Sequence, residues 1–432
     1  MLAGSMVFLH AMTGPPGSAL ARSLQDAGTA DGLRPLVGPF LEPIARVSGP
    51  SDLLDDVGRG LPEGAAKPEA VSVRLRRRGV ELAWGAPHVV PDSSSYLRAC
   101  RERGISSVEV VRADPSLLTE LQLGAFFNVY WPSRLLRRAL AWVPARLLTN
   151  LTLAVAADAT FWAGARSAAT DGEWTRLTES SYVVLTYHRL AGERVPGQER
   201  LDVDPAMFRR HLRWLRRLGF RPLSSEELAA FHSDPSATLP RRSFVLTADD
   251  GFRDAVTAMN GEVSAKPQVF VNTACVGGLA PWANDRPLAD WDELRELAAA
   301  GAAIGSHTRT HGRLPDSPPA LLDEELAGSL HELQQQVPSA IPVLAYPHGS
   351  HDGRVRAAAI KAGYRAAFTT ETGRNGAGTD PYCLRRVGVK DWDGPVSVLW
   401  KSVTGELVPP EWDWWTRGLR AARLKTKRRI EG

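Results

Sequence analysis

The 432-residue chain has only three cysteines, Cys100, Cys275 and Cys383, spread over nearly 300 positions. That excludes a disulfide framework and a cysteine-based zinc knuckle, and points to a reducing cytoplasm. A dominant charge is also missing. With 52 Lys and Arg against 48 Asp and Glu, the net charge is +4, and nothing in it calls for nucleic acid. The local basic clusters, Arg74–Arg78, Arg209–Arg217 and Arg417–Arg429, read as solvated helix faces. No long run is purely apolar. Ala141–Trp162 is interrupted by Pro144, Arg146, Asn150 and Asp158, so a buried or interfacial helix is expected rather than a span. The opening residues lack a basic n-region and are broken by His10 and Pro15–Pro16, so no export signal is expected. The stretch GPPGSALARSL has no Gly-Lys-Ser/Thr and no full dinucleotide fingerprint, and reads as a turn opening a helix. There is no internal repeat. What remains is an ordinary globular balance, 44% hydrophobic and 23% charged, long enough for two or three domains.

From Tyr182 onward the pattern becomes regular. YVVLTY, FVLT, PQVFVN, AAIGS, PVLAY, YRAAFTT and LRRVGV read as strands. Between them lie helical stretches with end signals. One has Asp204 as N-cap, Pro205 at the first turn, a Met207, Phe208, Leu212, Leu215, Leu218 stripe and Gly219 as the stop. The others are ADWDELRELAAAG, LLDEELAGSLHELQQQ and DGRVRAAAIKAG. Strands alternating with helices imply a parallel α/β arrangement, open or closed into a barrel, with its chemistry at the carboxyl ends of the strands. Residues 1–170 are less regular. There, VSVRLRRRGVELAWG, SSSYLRACRERG and SSVEVVRA read as two strands, a helix and a strand.

Three polar clusters follow apolar strands, where a parallel fold would gather them. Asp249 and Asp250 follow one strand, GSHTRTH with His307 and His311 follows a second, and AYPHGSHD a third. Two histidines four residues apart on one face of a helical turn suit a single ion. A zincin protease would need a glutamate beside the first histidine, and Thr308 stands there instead. Two histidines and one carboxylate leave coordination positions open for water and substrate, as a catalytic zinc or similar transition metal requires. Neighbouring side chains leave a strand in different directions, so one aspartate can ligate the metal while the other addresses the water. The metal's charge would keep both ionised.

LTADDGF, GSHTRTH and AYPHG resemble the successive motifs of the polysaccharide deacetylases, the NodB-homology group of carbohydrate esterases. YHRL at Tyr187–Leu190 and LRRVGV at Leu384–Val389 resemble its flanking strands, and the resemblance spans about Tyr182–Trp400. It implies an α/β fold, a distorted (β/α) barrel of seven strands, at 180–405. Outside it the sequence leaves an unassigned N-terminal α/β region at 1–170, expected to be accessory, and a basic, Trp-rich tail at 406–432. The resemblance also implies metal-dependent removal of N-acetyl, and sometimes O-acetyl, groups from sugars. Asp249 matches the base, and Asp250, His307 and His311 match the metal triad. The peptide N–H of His348 falls at the oxyanion donor.

The chain departs from the family pattern at several points. Ala248 replaces the aromatic before the Asp pair, and His348 the tyrosine after the proline. Ala345 stands where an arginine orients the base, which leaves that work to Arg385 or Arg386. No Leu-x-His is visible near Val396–Lys401 to supply the general acid. His188 is the first substitute, with His348 and His351 next. The expected protein is a cytoplasmic or membrane-peripheral deacetylase that uses Zn2+ or another divalent transition metal. Its substrate would be an N-acetylated glycan, or a lipid- or nucleotide-linked sugar precursor. The alternatives are a non-catalytic carbohydrate-binding pseudoenzyme and a bifunctional chain with a transferase-like N-terminal half.

Overall fold

The structure is a computed structural model, and it describes residues 7–13, 44–48, 51–78, 80, 82–84, 88–89, 92–128, 131–142, 153–191 and 201–408. The glycine-rich turn at 14–17 and the Trp-rich tail from 409 onward lie outside the described residues. The chain divides into two compact units, Met1–Ser180 with Gly376–Thr379, and Ser181–Asn375 with Asp380–Gly432.

In the first unit the strand Val7–Thr13 pairs antiparallel with Ile44–Ser48 and parallel with Leu82–Trp84 and His88–Val89. Two segments read as strands are helical. VSVRLRR lies in the helix Lys67–Arg77, and SSVEVVRA is the second half of one long helix, Ser93–Ala113. Asp92 starts the long helix by accepting from Ser95 N–H at 2.8 Å. Tertiary packing overrides the β-branched pattern further along. The helix crosses the helix Leu153–Ala168 at two glycines. A Cβ at Gly104 would lie 2.0 Å from Phe161 O, and one at Gly164 would lie 2.1 Å from Arg101 O. Asp158, which interrupts the apolar run, is buried against Arg137 at 2.8 Å and accepts from the Trp162 indole. No helix among the described residues is long and apolar enough to cross a membrane.

The second unit is an α/β fold around a nine-stranded sheet. Its strands are β1 (Ser181–Tyr187), β2 (Ser243–Ala248), β3 (Gln268–Val271), β4 (Ala303–Ser306), β5 (Val343–Ala345), β6 (Ala366–Phe368) and β7 (Val387–Gly388). The main path runs β6-β5-β4-β3-β2-β1 and ends on the two-residue strand Asn375–Gly376, while Arg221–Pro222 pairs with β2. Neighbours β1 to β6 pair in parallel. The stretch Leu384–Gly388 joins the two edges. Leu384 bridges Phe368 of β6, while Val387 and Gly388 pair with Leu185 and Thr186 of β1. Six strands and this seam make the distorted, seven-membered (β/α) barrel expected from the sequence.

β1 and β2 are buried along their whole length, as strands covered on both faces must be. The helix Pro205–Arg217 packs Phe208, Leu212 and Leu215 onto them, with Asp204 capping Ala206 and Met207 N–H. The helix also buries His211, whose ring lies between Tyr187 Oη at 3.1 Å and Asp393 O at 3.0 Å. The backbone oxygen can only accept, so His211 Nε2–H donates to it and Nδ1 accepts from the tyrosine. The stretch LLDEELAGSLHELQQQ is helical but is broken by a π-turn at Glu324–Gly328. That turn carries Glu325 to the loop of His307 and His311.

Candidate metal centre

The barrel brings the three polar clusters together at the carboxyl ends of β2, β4 and β5. Asp249 still belongs to the ladder, its N–H donating to Tyr187 O at 3.1 Å. Asp250 and Gly251 then turn the chain with φ of 71° and 73°. A glycine is required at 251 twice over, for its positive φ and because a Cβ would lie 2.9 Å from Val271 Cγ1. The turn sends the two carboxylates apart. Asp249 meets Arg386 Nη1 at 2.7 Å, and both side chains are 3% exposed. Asp250 meets His307 Nε2 at 3.4 Å and His311 Nε2 at 3.2 Å, both on Oδ1.

One ligand atom from each of Asp250, His307 and His311 lies within 4.8 Å of the others. The imidazoles approach Asp250 Oδ1 without hydrogen-bond alignment, which leaves that oxygen buried and without a hydrogen bond. Three ligand atoms gathered this closely fit a cation. His307 Nδ1–H donates to Ala345 O at 2.7 Å, which leaves the Nε2 lone pair for an ion. Nitrogen and carboxylate ligands in this number suit zinc or a similar divalent transition metal.

The two histidines are not on a helix. Thr308 and His311 both have left-handed backbone, with φ of 68° and 67°, and the loop folds back on itself. Its shape comes from its surroundings. Ser306 Oγ accepts from Thr308 N–H, and Thr308 Oγ1 accepts from His311 N–H. The buried Glu325 accepts from Arg309 N–H at 2.9 Å, from Thr310 N–H at 3.0 Å and from the Thr310 hydroxyl. Backbone strain gathers here, since four of the eight described non-glycine residues with positive φ are Asp250, Thr308, His311 and His348.

The charges are mutually supporting. Burial alone would raise the carboxyl pKa of Asp249, but the Arg386 guanidinium, with His307 and His188, holds it below the usual range. Burial opposes ionisation of Asp250 as well, and His307 and His311 outweigh it. His307 is pulled down by burial and raised further by Asp250 and Asp249, for a net upward shift. His188, at the end of β1, is pushed down by burial despite the two aspartates, and its Nδ1 is buried without a hydrogen bond.

Residues 236–367 match the family model described as polysaccharide deacetylase. That stretch of the chain is similar to a polysaccharide deacetylase domain. YxkH of Bacillus subtilis (strain 168), whose name carries the same family, is 25% identical over 213 residues, 48% of this chain and 70% of that protein. Two solved structures are similar. The Streptococcus pyogenes deacetylase PplD, in complex with acetate, is 24% identical with a TM-score of 0.46, covering 53% of this chain and 100% of that one. IcaB from Ammonifex degensii is 22% identical with a TM-score of 0.45, covering 52% and 97%.

Within the second unit, beyond the matched stretch, the two adjacent arginines separate. Arg386 comes off the barrel seam onto Asp249, steadied by its Nε–H bond to Thr369 O at 2.8 Å. Arg385 is elsewhere, its backbone bonded to Asn375 and its side chain over Gly373. His348 is exposed, with φ 58°, and lies edge-on to His311 at 4.7 Å. His351 stacks on Tyr346 at 4.9 Å and faces Cys383 Sγ at 3.6 Å, so it is not gathered with the triad. Sequence reasoning missed Glu325 and Trp282, which lie in an ordinary helix pattern and a loop. Only the fold makes them neighbours of the histidines.

Proposed function

We propose that the chain is a metal-dependent deacetylase that hydrolyses N-acetyl groups on a glycan or on a lipid- or nucleotide-linked sugar, releasing acetate and a free amine. The observation that carries this reading is the convergence of Asp250, His307 and His311 beside a second carboxylate, Asp249, held ionised by Arg386. A divalent ion held by the three ligands would supply Lewis acidity to the acetyl carbonyl and to water. Asp249, ionised at neutral pH, takes the proton of the attacking water. The backbone N–H of His348, which makes no hydrogen bond to a described residue, faces the developing oxyanion. His188 is held neutral by burial and drawn toward protonation by both aspartates; it takes on the proton that Asp249 removes from water, and its imidazolium then gives that proton to the departing amine as the C–N bond breaks. Arg386 positions Asp249 and does not touch substrate.

The test is acetate release from an N-acetylated oligosaccharide. Chelation should abolish it and Zn2+ should restore it. Binding of the sugar without acetate release by the zinc-loaded protein would favour the pseudoenzyme reading. Residues 180–405 are the catalytic domain in this reading, and 1–170 an accessory region whose transferase-like alternative is tested by sugar-nucleotide turnover. A cytoplasmic setting accords with three unpaired cysteines. Peripheral membrane contact is supported by the helix Pro395–Thr404 and the residues after it. Val396, Val403 and Leu407 are 67%, 55% and 55% exposed, and the chain then continues into Trp412, Trp414, Trp415 and seven basic residues from Arg417 to Arg429.

A further inference from the structure

The segment 272–290, between β3 and the helix Trp291–Ala299, is bonded to both loops that carry the metal ligands. At its start, Thr273 N–H donates to Thr308 O at 3.2 Å and Ala274 N–H to Arg309 O at 3.0 Å. At its end, Ala289 N–H donates to Gly251 O at 3.0 Å, and Leu288 bridges Phe252 antiparallel. Between these moorings the segment closes on itself, with Gly277 N–H on Ala289 O and Leu288 N–H on Gly278 O. It then forms a small hairpin of Leu279–Ala280 with Arg286–Pro287. Asn284 and Asp285, both left-handed with φ of 53° and 52°, turn it, as their residue types allow.

The hairpin presents Trp282. Its indole lies face to face with the imidazole of His311, centroids 4.4 Å apart and planes 12° apart. The two histidine ligands are therefore held by different means. His307 is oriented by the bond from Nδ1 to Ala345 O. His311 has no hydrogen-bond partner for Nδ1 among the described residues, and its backbone is in the left-handed region. The ring of a strained loop residue needs some other constraint, and a flat aromatic surface stops it rotating about χ1 and χ2.

We propose that segment 272–290 is a clamp for the metal site and that Trp282 is the positioning residue that holds the imidazole of His311 against Asp250. This rests on the metal-site reading under the proposed function. The same strap ties the loop of the first ligand to the loop of the other two, so the three donors keep their spacing without an ion between them. Preorganisation of this kind raises metal affinity, and loss of a group that orients a ligand costs about 10- to 100-fold.

The test compares the full-length protein with Trp282→Leu and Trp282→Phe. Zn2+ affinity is measured by competition with a chromophoric chelator, and folding by circular dichroism. Trp282→Leu should fold and bind Zn2+ about 10- to 100-fold more weakly. Trp282→Phe, which keeps a ring on the imidazole, should stay within a few-fold of the parent. A folded Trp282→Leu protein that binds Zn2+ as tightly as the parent overturns the clamp. If that variant does not fold, tryptophan fluorescence decides. Co2+ must quench a component in the parent that Trp282→Phe lacks, and equal quenching in both overturns the stacking role. A parent that binds neither ion fails the metal-site reading itself, and the clamp falls with it.

Discussion

Asp249 and Asp250 are adjacent in sequence but opposite in circumstance. Asp250 faces two imidazoles across gaps that an ion suits, whereas Asp249 is held by one guanidinium with both partners buried. The residue-scale predictions separate the two. Asp249→Asn should keep Zn2+ binding and lose about 100-fold or more in acetate release. Metal content and activity both unchanged would remove Asp249 from the chemistry. Arg386→Met acts on the same carboxylate indirectly. The native arginine holds the Asp249 pKa low, so without it the pKa rises, and the acid limb of kcat/KM against pH should move to higher pH. The buried carboxylate left unpaired should cost about 3–5 kcal/mol at neutral pH, and the deficit should shrink in acid as it protonates. A pH profile that does not move would show that Arg386 does not tune the base.

At the scale of elements, the helix Pro205–Arg217 illustrates how a stripe is completed by a residue that composition treats as polar. His211 fills the buried face between Phe208 and Leu212, and burial pushes its pKa from 6.5 down to about 4. A folded-state pKa below the unfolded one means that the unfolded chain binds the extra proton first. The contribution of His211 to stability is therefore complete above about pH 6.5 and is lost as the pH falls from there toward about 4, on the order of 3 kcal/mol in all. His211→Gln should be less stable than the parent at pH 7.5, yet its urea midpoint should fall less steeply between pH 7 and 5. Equal slopes would show that other groups dominate acid unfolding. The π-turn at Glu324–Gly328 is the complementary case. The helical period of that stretch is legible in the sequence, but the local widening is not, because it matters only through the bonds Glu325 makes to Arg309 and Thr310.

At the scale of the whole molecule, the proposed membrane contact involves one end of the second unit. The outer side of the helix Pro395–Thr404 exposes Val396 and Val403, and Leu407 comes after them. Residues 409–432 then add indoles, which favour the membrane interface, and basic side chains, each contributing about 1 kcal/mol near anionic lipid. The intact chain should sediment with anionic vesicles at low salt, and deletion after Val408 should abolish this while leaving Zn2+ binding intact. Failure of the intact protein to bind such vesicles at low salt, where attraction is least screened, would remove the membrane from the proposal.

The alternation of apolar strands with capped helices after Tyr182 indicates a parallel α/β arrangement, because burial on both strand faces leaves its mark in consecutive residues, while closure into a barrel came only from the motif resemblance. The same rule placed Asp249, Asp250, His307 and His311 at strand ends and hence near one another. Local pattern failed in the first 170 residues, where the Val-rich segments are helical. Close packing at Gly104 and Gly164 outweighs β-branched preference in the second half of the helix Ser93–Ala113, and it depends on a partner helix about 60 positions away. Pattern also could not choose between Arg385 and Arg386. Adjacent residues on a strand point to opposite sides, and only the way Leu384–Gly388 joins β6 to β1 decides which of them faces Asp249. The histidine loop is the same case. A spacing of four is compatible with a helix, but Glu325 and Trp282, distant in sequence, make it a strained loop. Residue types and order set the candidate ligands, and long-range contacts set their directions, because a side chain's orientation depends on what packs against it.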